Sequence, residues 1–176
     1  MAYYKYELSD LMLVFNVIEK QDIDSTNQFV IYNVNKATAV DLFYGGKNIF
    51  IANESLIDDL DKLLFHVKHN WFYRSGSEHA YQTIPLDSNL RLINFQNRIF
   101  FRMDSTVTNN FPNADLVLVE NIDFIDNRVV DSFIEQGVMV VIGTRVAYSL
   151  KNYLIRKMPS FNLHVLKTEG AFEVSF

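Results

Sequence analysis

The stretch Ala114-Asp-Leu-Val-Leu-Val-Glu-Asn-Ile-Asp123 decides the fold class. Its centre is continuously apolar and rich in valine, so we expect a strand that is buried on both faces. Two more short apolar stretches, at residues 29–32 and 138–142, have the same character. Buried strands that alternate with helices predict an α/β fold, in which a mostly parallel sheet is flanked by helices.

Helices are expected between these strands, several of them from apolar residues at helical spacing. The predicted helices cover residues 7–20, 37–44, 54–69, 129–136 and 146–157. Two β-hairpins are also expected. One joins residues 90–95 to residues 98–102 across Gln96-Asn97, and the other joins residues 163–166 to residues 172–175.

The chain has 176 residues, of which 49% are hydrophobic, and this suits one domain with its own core. We divide it into an N-terminal helix and loop (1–27), a core (28–150) and a C-terminal extension (151–176). The absence of cysteine excludes disulfides and thiolate metal sites. The net charge of −5 disfavours a general binder of duplex DNA. Since we find neither a membrane-spanning apolar run nor a secretory signal, we expect a cytoplasmic location without membrane contact.

Polar residues follow three of the predicted strands. Parallel sheets bind ligands at the carboxyl ends of their strands, so these residues are candidates for a site. They are Lys36 and Thr38, Glu120 and Asp123, and Thr144 and Arg145. Each pair also has an ordinary structural interpretation, as a surface turn, a solvated loop or a helix cap.

In their order and spacing, these segments resemble the ATPase domain of viral large terminases and related helicase-like motors. The resemblance covers residues 28–150 and includes Asn-Val-Asn-Lys-Ala-Thr38, the hairpin at residues 92–101, and Val-Ile-Gly-Thr-Arg145. It implies a P-loop-like fold, a viral origin and a role in DNA replication or packaging. The remaining chain is too short for a terminase nuclease domain, so nuclease activity is not implied.

The sequence departs from the family pattern at the positions that carry its chemistry. A phosphate loop needs glycines and a hydroxyl for magnesium, whereas this chain has Asn35-Lys-Ala37, with Thr38 one place later. At the acidic strand end Glu120 stands first and Asn121 second, and an amide cannot take a proton from water. We therefore expect a pseudo-ATPase without catalytic residues, cofactor or metal.

Loss of chemistry on a retained scaffold indicates a non-enzymatic interaction protein. We expect it to bind or inhibit a protein of the DNA replication or packaging machinery, such as a sliding clamp. The candidate contact residues are Leu63, Leu64 and Phe65, because Asp61-Lys-Leu-Leu-Phe65 resembles the Leu-Phe peptides that bind bacterial clamps. The same residues also fit a helix stripe that faces the core. A two-fold homodimer is compatible with such a protein.

Two other functions stay open. One is a minimal ATPase whose catalytic ligands have moved to other positions. The other is a single-strand nucleic-acid binder, in which Arg98 and Arg102 bind phosphates while nearby phenylalanines stack on bases. A hairpin whose aromatic residues face the core and whose arginines face solvent has the same sequence pattern.

Overall fold

The computed structural model describes residues 27–71, 81–87, 90–104 and 112–176, so the helix predicted at residues 7–20 lies outside the described residues. The strands are β1 (Gln28–Ile31), β2 (Ala39–Tyr44), β3 (Lys47–Ala52), β4 (Tyr81–Pro85), β5 (Leu92–Phe95), β6 (Arg98–Met103), β7 (Leu116–Val119), β8 (Met139–Ile142), β9 (Leu163–Val165) and β10 (Phe172–Ser175). The helices are α1 (Glu54–Ile57), α2 (Leu60–Leu63), a π-helix (Leu64–Lys68), α3 (Asn127–Gln136), α4 (Tyr148–Lys157), a 3₁₀ turn (Ser160–Asn162) and α5 (Leu166–Glu169).

These strands form two five-stranded sheets. The first sheet has the order β10-β1-β2-β3-β4, and its pairs are antiparallel except for β3 with β4. The second sheet has the order β5-β6-β7-β8-β9, and its pairs are parallel except for β5 with β6. Both sheets therefore mix the two strand directions.

The two sheets pack face to face. Phe29 of β1 stacks on Phe100 of β6, with ring centroids 3.8 Å apart and ring planes 4° from parallel. Apolar side chains of both sheets form the shared interior around this pair, among them Ile31, Val40, Leu42, Ile51, Leu116, Leu118 and Val141. Removal of this apolar surface from water holds the sheets together.

Helices cover the outer face of each sheet. The segment from α1 through the π-helix packs on the first sheet around Val30 and Phe50. Helices α3 and α4 pack on the second sheet, where Phe133 and Leu154 are fully buried. The described residues therefore form four layers in the order helix, sheet, sheet, helix.

Strand β7 accounts for the apolar stretch on which the fold prediction depended. Leu116 and Leu118 belong to the interior between the sheets, whereas Val117 and Val119 belong to the cluster beneath α3 and α4. All four residues are buried because successive side chains of a strand point to opposite faces, and both faces are covered. Burial on both faces was predicted from the sequence, with helices as the cover on each, whereas helices cover one face of β7 and the first sheet covers the other.

The predicted fold class is wrong. We expected one mostly parallel sheet between helices, whereas two mixed sheets are stacked on each other. A continuous apolar strand indicates only that both of its faces are covered. A second sheet covers a face as well as a layer of helices does, so the pattern does not distinguish the two arrangements.

The helix predicted at residues 37–44 is also wrong, because strand β2 occupies this segment. Strand β2 forms a hairpin with β3 across Gly45 and Gly46, whose φ angles are 51° and 70°. A tight hairpin turn requires positive φ at both central positions, so the glycines serve this turn rather than the end of a helix. Val40 and Leu42 alternate with residues of the opposite face, as the period of a strand demands.

The predicted C-terminal hairpin is wrong as well. Strand β9 pairs in parallel with β8, whereas β10 pairs antiparallel with β1 in the other sheet. Helix α5 and Gly170, with a φ angle of 88°, separate the two strands. The sequence pattern identified both strands, but their partners lie far away along the chain.

The other predicted hairpin is present. Strands β5 and β6 pair antiparallel across Gln96 and Asn97, and both turn residues have positive φ angles, 53° and 59°. Asparagine tolerates this conformation better than most residues, although glycine is the usual choice. The helices predicted at residues 129–136 and 146–157 correspond to α3 and α4.

We expect Phe133→Ala to lower the free energy of unfolding by about 3 to 5 kcal/mol, because truncation of a side chain that is 0% exposed leaves a cavity beneath α3. Urea titration followed by circular dichroism measures this change. Phe161→Ala is the matched control, since Phe161 is 77% exposed and its loss should cost less than about 0.5 kcal/mol. Equal effects of the two substitutions would contradict the packing of α3 on the second sheet.

Candidate functional site

The candidate site lies at one edge of the sandwich, where the loops that follow several strands come together. Backbone hydrogen bonds hold these loops side by side past the ends of the strands. In the first sheet, the N–H of Leu86 donates to the carbonyl of Ala52 (2.7 Å). In the second sheet, the N–H of Gly143 donates to the carbonyl of Val119 (2.8 Å).

Glu120 and Thr38 join the two sheets at this edge. Glu120 follows β7 directly and Thr38 precedes β2, and the two residues are 4% and 3% exposed. Thr38 Oγ1 lies 2.5 Å from Oε1 and 2.6 Å from Oε2 of Glu120. The hydroxyl donates its single hydrogen to the carboxylate, so residues 82 positions apart in the sequence are held in contact.

Two arginines lie beside this pair, and a third is linked to it through Asp104. Arg145 Nη2 lies 3.4 Å from Glu120 Oε2, and Arg102 Nε lies 3.9 Å from the same oxygen. Arg102 also binds Asp104 (Nη2–Oδ2, 2.5 Å), and Arg91 Nε lies 3.2 Å from the other oxygen of Asp104. We call this group the edge network, and its members are Thr38, Arg91, Arg102, Asp104, Glu120 and Arg145.

The negative charge of Glu120 is costly in this position. Burial raises the pKa of the Glu120 carboxyl, because water no longer solvates the anion, and the carboxylate of Asp104 acts in the same direction. The hydrogen bond from Thr38 and the charges of Arg145 and Arg102 oppose this rise without cancelling it. Glu120 therefore takes up a proton more readily than an ordinary glutamate does.

Gly143 allows the loops to approach closely at this edge. A Cβ at this position would lie 3.0 Å from Glu120 Cβ and 3.0 Å from the carbonyl oxygen of Val119. The next residue, Thr144, donates from Oγ1 to the carbonyl of Val34 at 3.0 Å, which is a second link between the two sheets. The Gly-Thr-Arg sequence after β8 thus provides a close approach, a cross-sheet hydrogen bond and a charge beside Glu120.

A small, partly open pocket lies between the sheets next to the edge network. Thr38, Arg91 and Arg102 line it together with apolar residues of both sheets, such as Phe29 and Leu116. These three members of the edge network therefore border apolar surface on their inner side.

The structure brings together most of the residues that the sequence selected at the strand ends. Those in or beside the edge network are Thr38, Glu120, Thr144 and Arg145. Lys36 and Asp123 are exposed and lie outside it. In the described structure Lys36 lies between two antiparallel strands and not between a strand and a helix, so it is not part of the P-loop arrangement that the resemblance implied, and Thr38 binds Glu120. Within the described part of the chain, no group of three or more His, Asp or Glu side chains is placed to hold a metal ion.

The two arginines that we considered for nucleic-acid binding have carboxylate partners within the chain. Arg102 is largely buried and binds Asp104. Arg98 binds Asp115 at 2.7 Å, and the pKa of that carboxyl is lowered by the backbone N–H of Ile99 and then by Arg98. The hairpin is thus the ordinary type with its aromatic residues in the core. Both arginines thus have an intramolecular role, and the hypothesis of a single-strand binder stays a prediction.

The three residues that we considered for partner contact differ in exposure. Leu63 is buried in the cluster beneath the first sheet, as the core interpretation predicted for the whole stripe. Leu64 and Phe65 are instead 49% and 79% exposed. Two of the three side chains therefore lie on the surface of the described structure.

Arg91 and Asp104 of the edge network were missed in the sequence. Asp104 directly follows strand β6. The rule that selected Glu120, an acidic residue at the carboxyl end of an apolar strand, would have selected Asp104 as well. Arg91 carries no comparable signal, since it lies inside the strand predicted at residues 90–95 and not at a strand end.

A buried polar cluster around Asp41 was also missed. Tyr32 Oη and Trp71 Nε1 both donate to Asp41 Oδ2, at 2.5 Å and 2.6 Å. Asn70 Nδ2 donates to Tyr32 Oη at 2.8 Å. These contacts attach the residues after the π-helix to the first sheet. An aspartate in the middle of an apolar strand is the signal that could have indicated them.

Thr38→Val is expected to lower the free energy of unfolding by about 1 to 3 kcal/mol, because it keeps the side-chain shape but removes the hydroxyl donor from a buried carboxylate. Urea titration at neutral pH measures the change. Thr168→Val is the control, since Thr168 is exposed and its hydroxyl makes only a long bond to the nearby carbonyl of Val165 (3.4 Å). A loss no larger than that of the control would show that the cross-sheet bond is unimportant.

The stability that Glu120 contributes should fall as pH rises. Its pKa is raised in the folded state, so in the range above the pKa of an ordinary glutamate the folded chain keeps a proton that the unfolded chain has lost. This contribution is complete below the unfolded pKa and is lost as pH passes the folded pKa. The unfolding free energy of wild type minus that of Glu120→Gln, which cannot ionise, should therefore decrease as pH rises above the pKa of an ordinary glutamate. A constant difference would contradict the assignment.

Comparison with known proteins identifies the family. The family model of the ComEC C-terminal domain matches residues 29–176. No curated protein and no solved structure matches the chain. ComEC proteins are a DNA-uptake family, and this is compatible with contact to nucleic acid or to protein. In the ranges that the structure describes, no helix has the length and apolar character to cross a membrane.

The family match overturns the resemblance to viral terminases. The predictions that followed from it are wrong, namely a viral origin, a P-loop pseudo-ATPase or displaced-ligand ATPase, and binding to a replication or packaging component such as a sliding clamp. The predicted cytoplasmic location is wrong as well, because ComEC is a membrane-associated family. Since the matched region spans most of the sequence, the chain belongs to the ComEC C-terminal domain family.

Proposed function

We propose that the chain acts in DNA uptake as a ComEC-type domain and contributes a protein-contact surface to the uptake machinery. The observation that carries the proposal is the family match over residues 29–176. The match begins within β1 and extends through β10, so it includes strands of both sheets. The proposed role therefore belongs to the whole sandwich and not to one of its loops.

The edge network supports a role other than nucleotide hydrolysis. Both carboxylate oxygens of Glu120 contact the Thr38 hydroxyl, and Arg145 and Arg102 lie beside it. These groups are used to connect the two sheets, which is a structural task. Lys36, the residue that would have to reach a phosphate, lies on the surface in a turn with a φ angle of 60°.

The charge distribution favours a protein over DNA as the direct partner. A net charge of −5 repels the phosphate backbone. Arg98 and Arg102, which lie on the hairpin, are paired with Asp115 and Asp104. Exposed apolar side chains beside carboxylates are instead suited to a protein surface of complementary charge.

Disruption of the gene in the cell that carries it tests the proposal. Uptake of fluorescently labelled DNA and the frequency of transformation should both fall to the background of cells that lack an uptake system. Wild-type chain and Lys36→Ala should restore both quantities equally, because the proposed role needs no phosphate contact at Lys36. Undiminished uptake in the disrupted cells would refute the role in DNA uptake.

Calorimetry on the purified chain tests the absence of nucleotide chemistry. Titration with ATP and Mg²⁺ should give no heat of binding for wild type or for Lys36→Ala. Thr38 and Glu120 are engaged with each other, so they offer neither a free hydroxyl nor a free carboxylate to a magnesium ion. Binding to wild type that Lys36→Ala abolishes would contradict this part of the proposal.

A further inference from the structure

The outer surface of the helix layer on the first sheet carries an exposed apolar group. Leu60, Leu64 and Phe65 are 58%, 49% and 79% exposed. Leu63 and Val67, from the same segment, are buried against the sheet. The segment is therefore apolar on the side that packs and also on part of the side that faces solvent. We call Leu60, Leu64 and Phe65 the helix patch.

A change of helix type coincides with the helix patch. The chain is α-helical at Leu60–Leu63 and π-helical at Leu64–Lys68. A π-helical turn contains more residues than an α-helical turn and is less favourable, and it is found frequently at functional sites. Leu64 and Phe65 are the first two residues of this π-helix. Single exposed apolar residues are common in proteins, but three within six residues at such a turn are not explained by the packing of the core.

The segment that carries the helix patch, residues 54–68, has more carboxylates than lysines, namely Glu54, Asp58, Asp59 and Asp61 against Lys62 and Lys68. Glu54, Asp58 and Asp61 are exposed, and none of them forms an ion pair with a residue that the structure describes. Asp59 is paired with Lys62 through a contact of 2.5 Å, and this hydrogen bond lowers the pKa of its carboxyl. Three carboxylates that lack a cationic partner in the described structure thus lie in the segment that carries the apolar side chains.

We propose that the helix patch docks a basic amphipathic segment of a protein partner, a proposal that rests on the proposed function for its cellular context. Apolar side chains of the segment would cover Leu60, Leu64 and Phe65, and its lysines or arginines would face Glu54, Asp58 and Asp61. Burial of the apolar groups provides attraction, and the complementary charge selects the partner.

The same charges argue against other occupants. Nucleic acid and anionic lipid both present phosphate groups, which the carboxylates around the helix patch repel. A second copy of this chain would bring the same carboxylates against each other, because a two-fold interface places identical patches together. A basic protein segment is the occupant that both the apolar and the charged residues favour.

Binding of designed peptides to the purified full chain tests the docking surface. Two peptides of about 18 residues, some five helical turns, share one leucine-rich face, and their opposite face carries lysine in one and glutamate in the other. Fluorescence anisotropy should show that the lysine peptide binds, that its dissociation constant increases with salt, and that the glutamate peptide does not bind. Equal binding of both peptides would contradict the charge argument.

Matched variants localise the binding. The double substitution Leu64→Ser with Phe65→Ser should weaken binding of the lysine peptide at least about tenfold, which corresponds to about 1.4 kcal/mol. Phe161→Ser is the apolar control, because Phe161 is comparably exposed but lies elsewhere, and it should leave binding unchanged. Circular dichroism and thermal unfolding confirm that the variants are folded. Unchanged affinity of the folded patch variant would overturn the proposal.

Two further double variants distinguish attraction to the carboxylates beside the helix patch from attraction to the net charge of the chain. Asp58→Asn with Asp61→Asn removes two charges beside the helix patch, and Asp131→Asn with Glu135→Gln removes two exposed charges from α3. Only the first pair of substitutions should clearly weaken the binding of the lysine peptide. If both pairs weaken binding equally, the peptide is attracted by the net charge of the chain alone, and the proposal is overturned.

Two further measurements distinguish the ways in which the proposal can fail. If gene disruption abolishes DNA uptake but the patch variant restores it fully, the docking surface is wrong and the role in uptake stands. If disruption leaves uptake intact while the lysine peptide binds at the helix patch, the role in uptake is wrong and the docking surface stands.

Sedimentation of the purified chain tests self-association. The wild-type chain and the patch variant should have the same molecular mass in solution. A dimer that the variant dissociates would identify a second copy as the occupant and overturn the proposal.

Discussion

The contact between Glu120 and Thr38 is the constraint on which the edge of the sandwich depends. Apolar burial holds the two sheets together but has no direction, so it does not determine how their edges are aligned. A hydrogen bond of 2.5 Å from a hydroxyl of one sheet to a carboxylate of the other does have a direction. A buried carboxylate that loses its partners is costly, so alignments that separate Glu120 from Thr38 and Arg145 are disfavoured. We infer that the edge network aligns the sheets more than it adds to their net stability.

The strands were predictable from the sequence to a greater extent than their arrangement. The apolar run at Leu116–Val119 showed that both faces of β7 are covered, and both are. Whether a second sheet or a layer of helices covers a face depends on long-range pairs, such as β10 with β1, that no local pattern contains. The helix predicted at residues 37–44 was wrong for a related reason. A short apolar segment has no decisive period, and its pairing with β3 makes it a strand.

For the candidate site, the position was predictable whereas the chemistry was not. Polar residues that follow buried strands converge in any fold whose strands end at one edge, so Thr38 and Glu120 meet although the predicted fold class was wrong. This also explains why the resemblance to terminases was misleading. An acidic residue after a buried strand is common to many α/β folds. The informative residues were those that departed from the motif. Asn35 and Ala37 replace the glycine and the hydroxyl that phosphate binding needs, and Asn121 replaces the base.

The two sides of the domain use their polar and apolar groups in opposite ways. At the edge, the charged side chain of Glu120 is buried, and Arg102 and Arg145 lie beside it. On the helix layer, an apolar side chain, Phe65, is exposed in a segment whose carboxylates Glu54, Asp58 and Asp61 form no ion pair with a described residue. Buried, paired charges stabilise one particular arrangement of the chain. Exposed apolar side chains lower the free energy of the system only when another surface covers them. The helix patch is therefore the feature of the described structure on which the proposal of a protein partner depends, because only another surface would remove its apolar groups from water.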